Sequence, residues 1–205
     1  VTIASLPQIL VANPDFPAKS VKDVIDMARA KPNSISYASV GNGSPGHLAG
    51  AMMAGAANVK MTHIPYRGGG PAVTDVMGGQ VPLLWVSIPA AANFVKTGKL
   101  KALAVSTTKR SAVFPDVPTM AESGFKDFEV DSWYAMFVPA NTPKAAIDRL
   151  NAAANKVLSM PDVKEKLLNQ GAEAVGGSPD ALGKVVKAEL AKWDKVVKEN
   201  GIKAE

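Results

Sequence analysis

The 205 residues include no cysteine and only two histidines, His47 and His63. The first absence removes thiolate nucleophiles, cysteine-based zinc sites, iron–sulfur clusters and CxxC redox chemistry together. The second leaves no metal set, because no acid lies between Asp26 and Asp75 to complete a ligand group around either imidazole. No GxSxG elbow occurs, and paired carboxylates appear only in the second half, at positions that read as solvated helix faces. No catalytic residue is therefore nominated, and the expectation is a protein that is not an enzyme. No apolar run approaches the roughly 18 residues of a membrane span. Also missing is a basic stripe interleaved with aromatics, so no nucleic-acid partner is expected from the net charge of +5. The chain opens at Val1 on VTIASLPQILVANP with no charged region before it, and this reads as a processed chain or a piece of something longer.

What is present is an ordinary globular composition, 47% hydrophobic and 20% charged, on a length that suits one or two domains. Charge is unevenly spread. Residues 1–100 hold 8 Lys/Arg and 4 Asp/Glu, against 15 and 14 in residues 101–205. Ser20 is placed to cap a helix over 21–30, with Val21, Val24, Ile25 and Ala28 on one face. Strands are expected at 35–38, 60–64, 81–86 and 100–106, alternating with helices at 47–57, 71–78 (Pro71 in first position) and 88–97. That alternation implies parallel βαβ units. Beyond Ser106 the pattern predicts a short helix at 119–123 and an aromatic-rich strand at 132–138. Further helices are expected at 144–159, 161–170 and 180–200, the first and last capped by Thr142 and Ser178 ahead of a proline. The second half has many helices and few strands, so its sheet calls for strands from elsewhere.

Two glycine-rich loops stand at consecutive strand ends. Gly41-Asn42-Gly43-Ser44-Pro45-Gly46 satisfies GxGxxG and opens a helix, a pattern whose amides can hold a pyrophosphate. The ribose-binding acid expected about 20 residues on is missing, since Met61-Thr62-His63-Ile64 stands there. A nicotinamide-dependent oxidoreductase using this loop stays open as the alternative, with Arg67 for a 2′-phosphate. Tyr66-Arg67-Gly68-Gly69-Gly70-Pro71 holds the same place in the next unit. Together with Ser39, Asn42, Ser44, Thr62 and Tyr66 the two loops suit a carboxylate, although the glycines can equally be plain turns. His47 can cap its helix or face a ligand. His63 reads as structural, and Trp85 as core or as one wall of a pocket.

Long segments of the chain, YASVGNGSPGHLAGAMM, THIPYRGGGPAVTDVMGGQVPLLW, GKLKALAVSTTKRSAVFPDVPTMAESGF, WYAMFVPANTP and AELAKWDKVVKENGI, resemble the Bug (TctC) type of periplasmic receptor of tripartite tricarboxylate transporters. The resemblance implies an α/β, type II-like periplasmic binding fold whose two lobes close on a small organic carboxylate. It implies delivery to the transporter's membrane permease subunits, and no cofactor. Residues 1–9 would be a crossover strand and 10–103 a continuous ligand-binding lobe. Residues 104–205 would be the C-terminal part of a discontinuous lobe whose N-terminal part is absent. Ser39, Gly41, Asn42, Gly43, Ser44 and His47 resemble the ligand-side loop of that family, and Tyr66, Arg67 and Gly68 its neighbour, with Pro71 and Ala72 leading into the next helix. Trp85 is followed by Val86 where relatives often carry an acid, so the expected ligand is a carboxylate with an apolar or aromatic body rather than an amino acid. A homodimer through the incomplete lobe, by strand exchange, is a further expectation. Recruitment of the fold for signalling is a third reading.

Overall fold

A computed structural model describes residues 1–202. The elements in chain order are β1 (Thr2–Ala12), α1 (Val21–Ala30), β2 (Ser36–Ser39), α2 (Pro45–Ala56), β3 (Thr62–Pro65), α3 (Gly69–Met77), β4 (Leu83–Ser87), α4 (Ile88–Lys96), β5 (Lys101–Val105), β6 (Asp131–Ala135), α5 (Lys144–Ser159), α6 (Pro161–Asn169), β7 (Glu173–Gly176) and α7 (Pro179–Glu199). They form two compact units: Pro7–Asp131 with Val196 onward, and Val1–Leu6 with Ser132–Lys195.

In the larger unit the strands lie in the order β3-β2-β4-β1-β5. β2 runs parallel to β3 and β4, as the alternating pattern predicts. β1 is antiparallel to both β4 and β5, a direction that the alternating pattern of the later strands does not address. A strand that precedes all the βα units enters the sheet without a crossover helix, so nothing forces it to run with the others. Ile9, Leu10, Val11 and Ala12 of β1 are fully buried, as suits a strand covered on both faces. One face carries Ile9, Val11, Ala38, Leu84 and Val86 against Ala72, Val73 and Val76 of α3 and Ile88 and Ala91 of α4. On the other face α2 approaches so closely that a Cβ at Gly50 would lie 2.0 Å from the Tyr37 ring. α1 forms as expected: Ser20 accepts from the Asp23 N–H at 3.1 Å, and Val21, Val24, Ile25 and Ala28 are buried.

In the smaller unit the first half of β1 pairs antiparallel with β7, Thr2 opposite Gly176 and Ala4 opposite Ala174, and β6 also pairs with β1. β7 is a strand the sequence pattern does not announce, since Glu-Ala-Val-Gly is short and half polar. In the larger unit, the helix expected at 119–123 is absent: Thr119 bridges Val105 and residues 120–124 are turns. The Thr119 hydroxyl does accept from the Glu122 N–H at 3.0 Å, but Gly124, at φ +98°, ends the turn at once. Thr142 does not cap α5; its hydroxyl donates back to the Pro139 carbonyl, and Pro143 takes the cap position without a side-chain bond. Ser178 does cap α7, accepting from the Ala181 N–H at 3.1 Å. α3 begins at Gly69, two residues before the expected start, so Pro71 is its third residue.

Candidate ligand site

The site is built where β2 and β3 end. Their parallel register sets Ser39 opposite Pro65, so residues 40–44 and 66–68 leave the same edge of the sheet side by side. The Tyr66 N–H donates to the Ser39 carbonyl at 3.0 Å, tying the start of one loop to the other. Ligands of open α/β sheets bind at this carboxyl edge.

Ser39 is the hub of the first loop. It is fully buried. Its Oγ donates to the Gly41 carbonyl at 3.0 Å and accepts from the Gly41 N–H at 3.2 Å and the Ser44 hydroxyl at 3.3 Å. The same oxygen lies 2.7 Å from His63 Nε2. With its polar capacity taken, Ser39 shapes the loop and offers no free hydroxyl to a ligand. Gly41 and Gly43, at φ +142° and +69°, take the turn that follows. Ser44 caps α2 by accepting from the His47 N–H at 3.3 Å, and Pro45 sits in the first turn.

The two histidines stack, ring centroids 3.7 Å apart and planes 7° from parallel. His47 Nδ1 accepts from the Gly43 N–H at 3.1 Å, which requires the neutral ring. Burial lowers the His47 pKa, while burial and then the neighbouring His47 charge push His63 down to about 4. Tyr37 packs its ring 5.1 Å from His63 and donates to the His47 carbonyl at 3.3 Å, and burial holds its phenol protonated. Both imidazoles are thus uncharged supports under the first loop.

The second loop ends in a helix start with no side-chain cap: Gly68, at φ +105°, holds the N-cap position of α3. First-turn amides without a cap favour an anion. Gly70 and Pro71 are exposed. Ala72 is fully buried in the core, so its backbone is what it can offer a ligand. Tyr66 is fixed against α3 by donating to Asp75 Oδ2 at 2.7 Å, and burial followed by that carboxylate pushes its phenol up to about 12. Arg67 is exposed and makes no ion pair among the described residues. Asn42 and Gly43 are also exposed.

Trp85 is fully buried and stacks on Phe128 at 5.7 Å, so it belongs to the core behind the loops. A Cβ at Gly46 would lie 2.5 Å from its carbonyl oxygen. The last glycine of the GxGxxG pattern therefore lets α2 approach β4. Sequence reasoning missed Tyr37, Asp75 and this packing role, and it read His63 as a lone strand residue. Two histidines near consecutive loops were the available signal.

Residues 1–202 match the tripartite tricarboxylate transporter family receptor. The chain belongs to that family. It is similar to the "UPF0065 protein in tcbD-tcbE intergenic region" of Pseudomonas sp. strain P51, 37% identical over all of this chain and 61% of the relative. Among solved structures it is similar to the Rhodopseudomonas palustris protein Rpa4515 with adipate: 35% identity, TM-score 0.87, 98% of this chain and 68% of that one. It is also similar to the periplasmic binding protein BugD, at 34%, 0.82, 100% and 69%. MatC of R. palustris with bound malate matches at 30%, 0.81, 96% and 68%. The fold is thus α/β and of the type II-like periplasmic binding class, and the relatives are periplasmic binding proteins rather than enzymes. The chain spans about three fifths of the length of the curated relatives it matches.

Proposed function

We propose that this chain carries one side of the binding site of a periplasmic receptor, which captures a small organic carboxylate and delivers it to the permease subunits of a tripartite tricarboxylate transporter. The observation that carries the reading is the pairing of two amide-rich loops at one sheet edge, one of them running into an uncapped helix beside the exposed Arg67. Backbone amides and a guanidinium recognise a carboxylate by charge-assisted hydrogen bonds. The relatives with adipate and malate both hold dicarboxylates, which supports the same ligand class here.

Gly41, Asn42, Gly43, Ser44, Tyr66, Arg67, Gly68 and Pro71 are the proposed ligand-side residues, with Ser39, His47, Ala72 and Trp85 beneath them. Val86 follows Trp85 where an acid would attract an ammonium group, so a carboxylate with an apolar or aromatic body fits better than an amino acid. No observation favours the nucleotide reading, because β3 runs out through Ile64-Pro65-Tyr66 without an acid.

The test is calorimetric titration of the chain, alone and lengthened by the part of the adipate-bound relative it does not span. Adipate, malate, benzoate, aspartate, glutamate and NADP are the titrants. Binding of non-amino carboxylates is expected. Binding of NADP alone, or of the amino acids alone, overturns the proposal.

A further inference from the structure

We infer that Asn42-Gly43 is a self-modification site, at which His47 draws the proton from the Gly43 amide so that the pair closes to a succinimide and then opens to aspartate or isoaspartate. The modification itself stands apart from the ligand reading; its effect on binding rests on that reading.

Asn42 and Gly43 are the two central residues of the turn closed by the Ser44 N–H on the Gly41 carbonyl at 3.2 Å, with Gly43 at φ +69°. Both are exposed, and a Cβ at Gly43 would meet nothing within 4 Å, so no neighbouring group shields that side of the turn. The Gly43 N–H donates to His47 Nδ1 at 3.1 Å, within the reach that a general base needs for the proton it takes. The ring is kept neutral: burial lowers its pKa, and His63, stacked on it, and Tyr37, bonded to its carbonyl, are uncharged. The second Asn-Gly pair of the sequence, Asn200-Gly201, has a different setting. There the Asn200 side-chain amide donates to the Val196 carbonyl at 2.9 Å, and the Gly201 N–H donates to the Lys198 carbonyl at 3.4 Å, an acceptor that takes up no proton.

The step balances without an oxidant or a reductant. Nδ1 takes the Gly43 amide proton, the nitrogen attacks Asn42 Cγ, and a ring closes as the new N–C bond forms. The Cγ–NH2 bond then breaks, and the proton on Nδ1 leaves with the amine as ammonia, returning the imidazole to its neutral form. Water opens the ring. Attack at the side-chain carbonyl gives aspartate at position 42, and attack at the main-chain carbonyl gives isoaspartate, which carries the chain through one extra carbon. Either product replaces a neutral amide by a carboxylate in the first loop. Against a carboxylate ligand held by the amides of that loop, the new charge is repulsive, so the chain limits the working life of its own site.

The test follows conversion of Asn42 and Asn200 by peptide mass spectrometry, with isoaspartate scored by enzymatic methylation, while the chain stands at neutral pH. Asn42 of the folded wild type is expected to convert at least about tenfold faster than Asn42 of the folded His47→Asn chain, whose amide oxygen keeps an acceptor for Gly43 but takes no proton. It is also expected to convert faster than in wild type unfolded by guanidinium chloride, while Asn200 keeps its rate in His47→Asn. Equal or faster conversion of Asn42 in His47→Asn overturns the inference. Conversion in denaturant that equals or exceeds that of the folded wild type overturns it without recourse to the variant. Calorimetry with adipate reads the consequence: the Kd is expected to rise several-fold in the aged wild type and in Asn42→Asp. A fresh chain that binds no carboxylate counts against the ligand reading alone, and the conversion rates still decide the modification.

Discussion

Acid acts on this protein first through the stacked histidines. The folded His63 prefers its neutral form, with a pKa of about 4 against 6.5 in the unfolded chain, so between these values the unfolded state binds more protons. The stability this contributes is present above pH 6.5 and is lost as the pH falls towards 4. Each tenfold change in proton affinity corresponds to about 1.4 kcal/mol, giving about 3 kcal/mol; the ring is only half-buried, so solvent screening reduces this to about 1–2 kcal/mol. For a chain of this size that is a Tm change of about 2–8 °C. Carboxylates also titrate in this window, so the quantity to measure is the Tm of the wild type minus that of His63→Gln, a variant that keeps a polar partner for Ser39. The difference is expected to shrink by that amount between pH 7 and pH 4. Proton NMR is expected to show the His63 ring titrating near pH 4 while the Gly43 amide follows His47. A His63 titration above pH 6, or a difference independent of pH, would falsify the account.

Three substitutions separate the loop's parts. Gly46→Ala sets a Cβ 2.5 Å from the Trp85 carbonyl and must lift α2, so a loss of about 1–3 kcal/mol is expected by denaturant melting, whereas the open position of Gly70 tolerates alanine within about 1 kcal/mol. Ser39→Ala strips the hub from buried partners and is expected to cost about 1–3 kcal/mol and to speed amide exchange at residues 41–44; unchanged exchange there refutes the hub role. Arg67→Gln breaks no ion pair, so Tm is expected to hold while the Kd for adipate rises about tenfold by calorimetry.

The sequence made the βα alternation and both glycine loops legible, because strands buried on both faces read as apolar runs and helix starts carry their own caps, as at Ser20 and Ser178. It misled where local chemistry stood in for a longer pattern. Thr119 with Glu122 is a capping arrangement without a helix behind it, and Thr142 found the Pro139 carbonyl before any helix amide. The direction of β1 and the existence of β7 depend on pairings over more than 70 residues, which no local period encodes. Within the site, the loops could be placed from their glycines, but the stack of His47 on His63 needed the register of β2 beside β3. Trp85 reads from the sequence as core or as one wall of a pocket, and in the fold its side chain is fully buried.

The uneven charge of the two halves has the same origin as their uneven burial. A sheet covered on both faces leaves little surface for charge, and residues 1–100 hold only four acids. The helices of the second half carry pairs such as Lys144–Asp148 at 2.5 Å and Lys166–Asp162 at 3.6 Å, all well exposed. Exposed pairs at this spacing contribute about 0.3–0.5 kcal/mol each, whereas ordering one residue's backbone costs about 1–2 kcal/mol. Such pairs cannot hold α5 and α6 in place; only burial of their apolar stripes can, and in this chain those stripes stay largely in water. Amides of α5 and α6 in the chain alone are therefore expected to exchange orders of magnitude faster than those of β1 and β4. Equal protection would mean that the smaller unit is stabilised by something other than apolar burial.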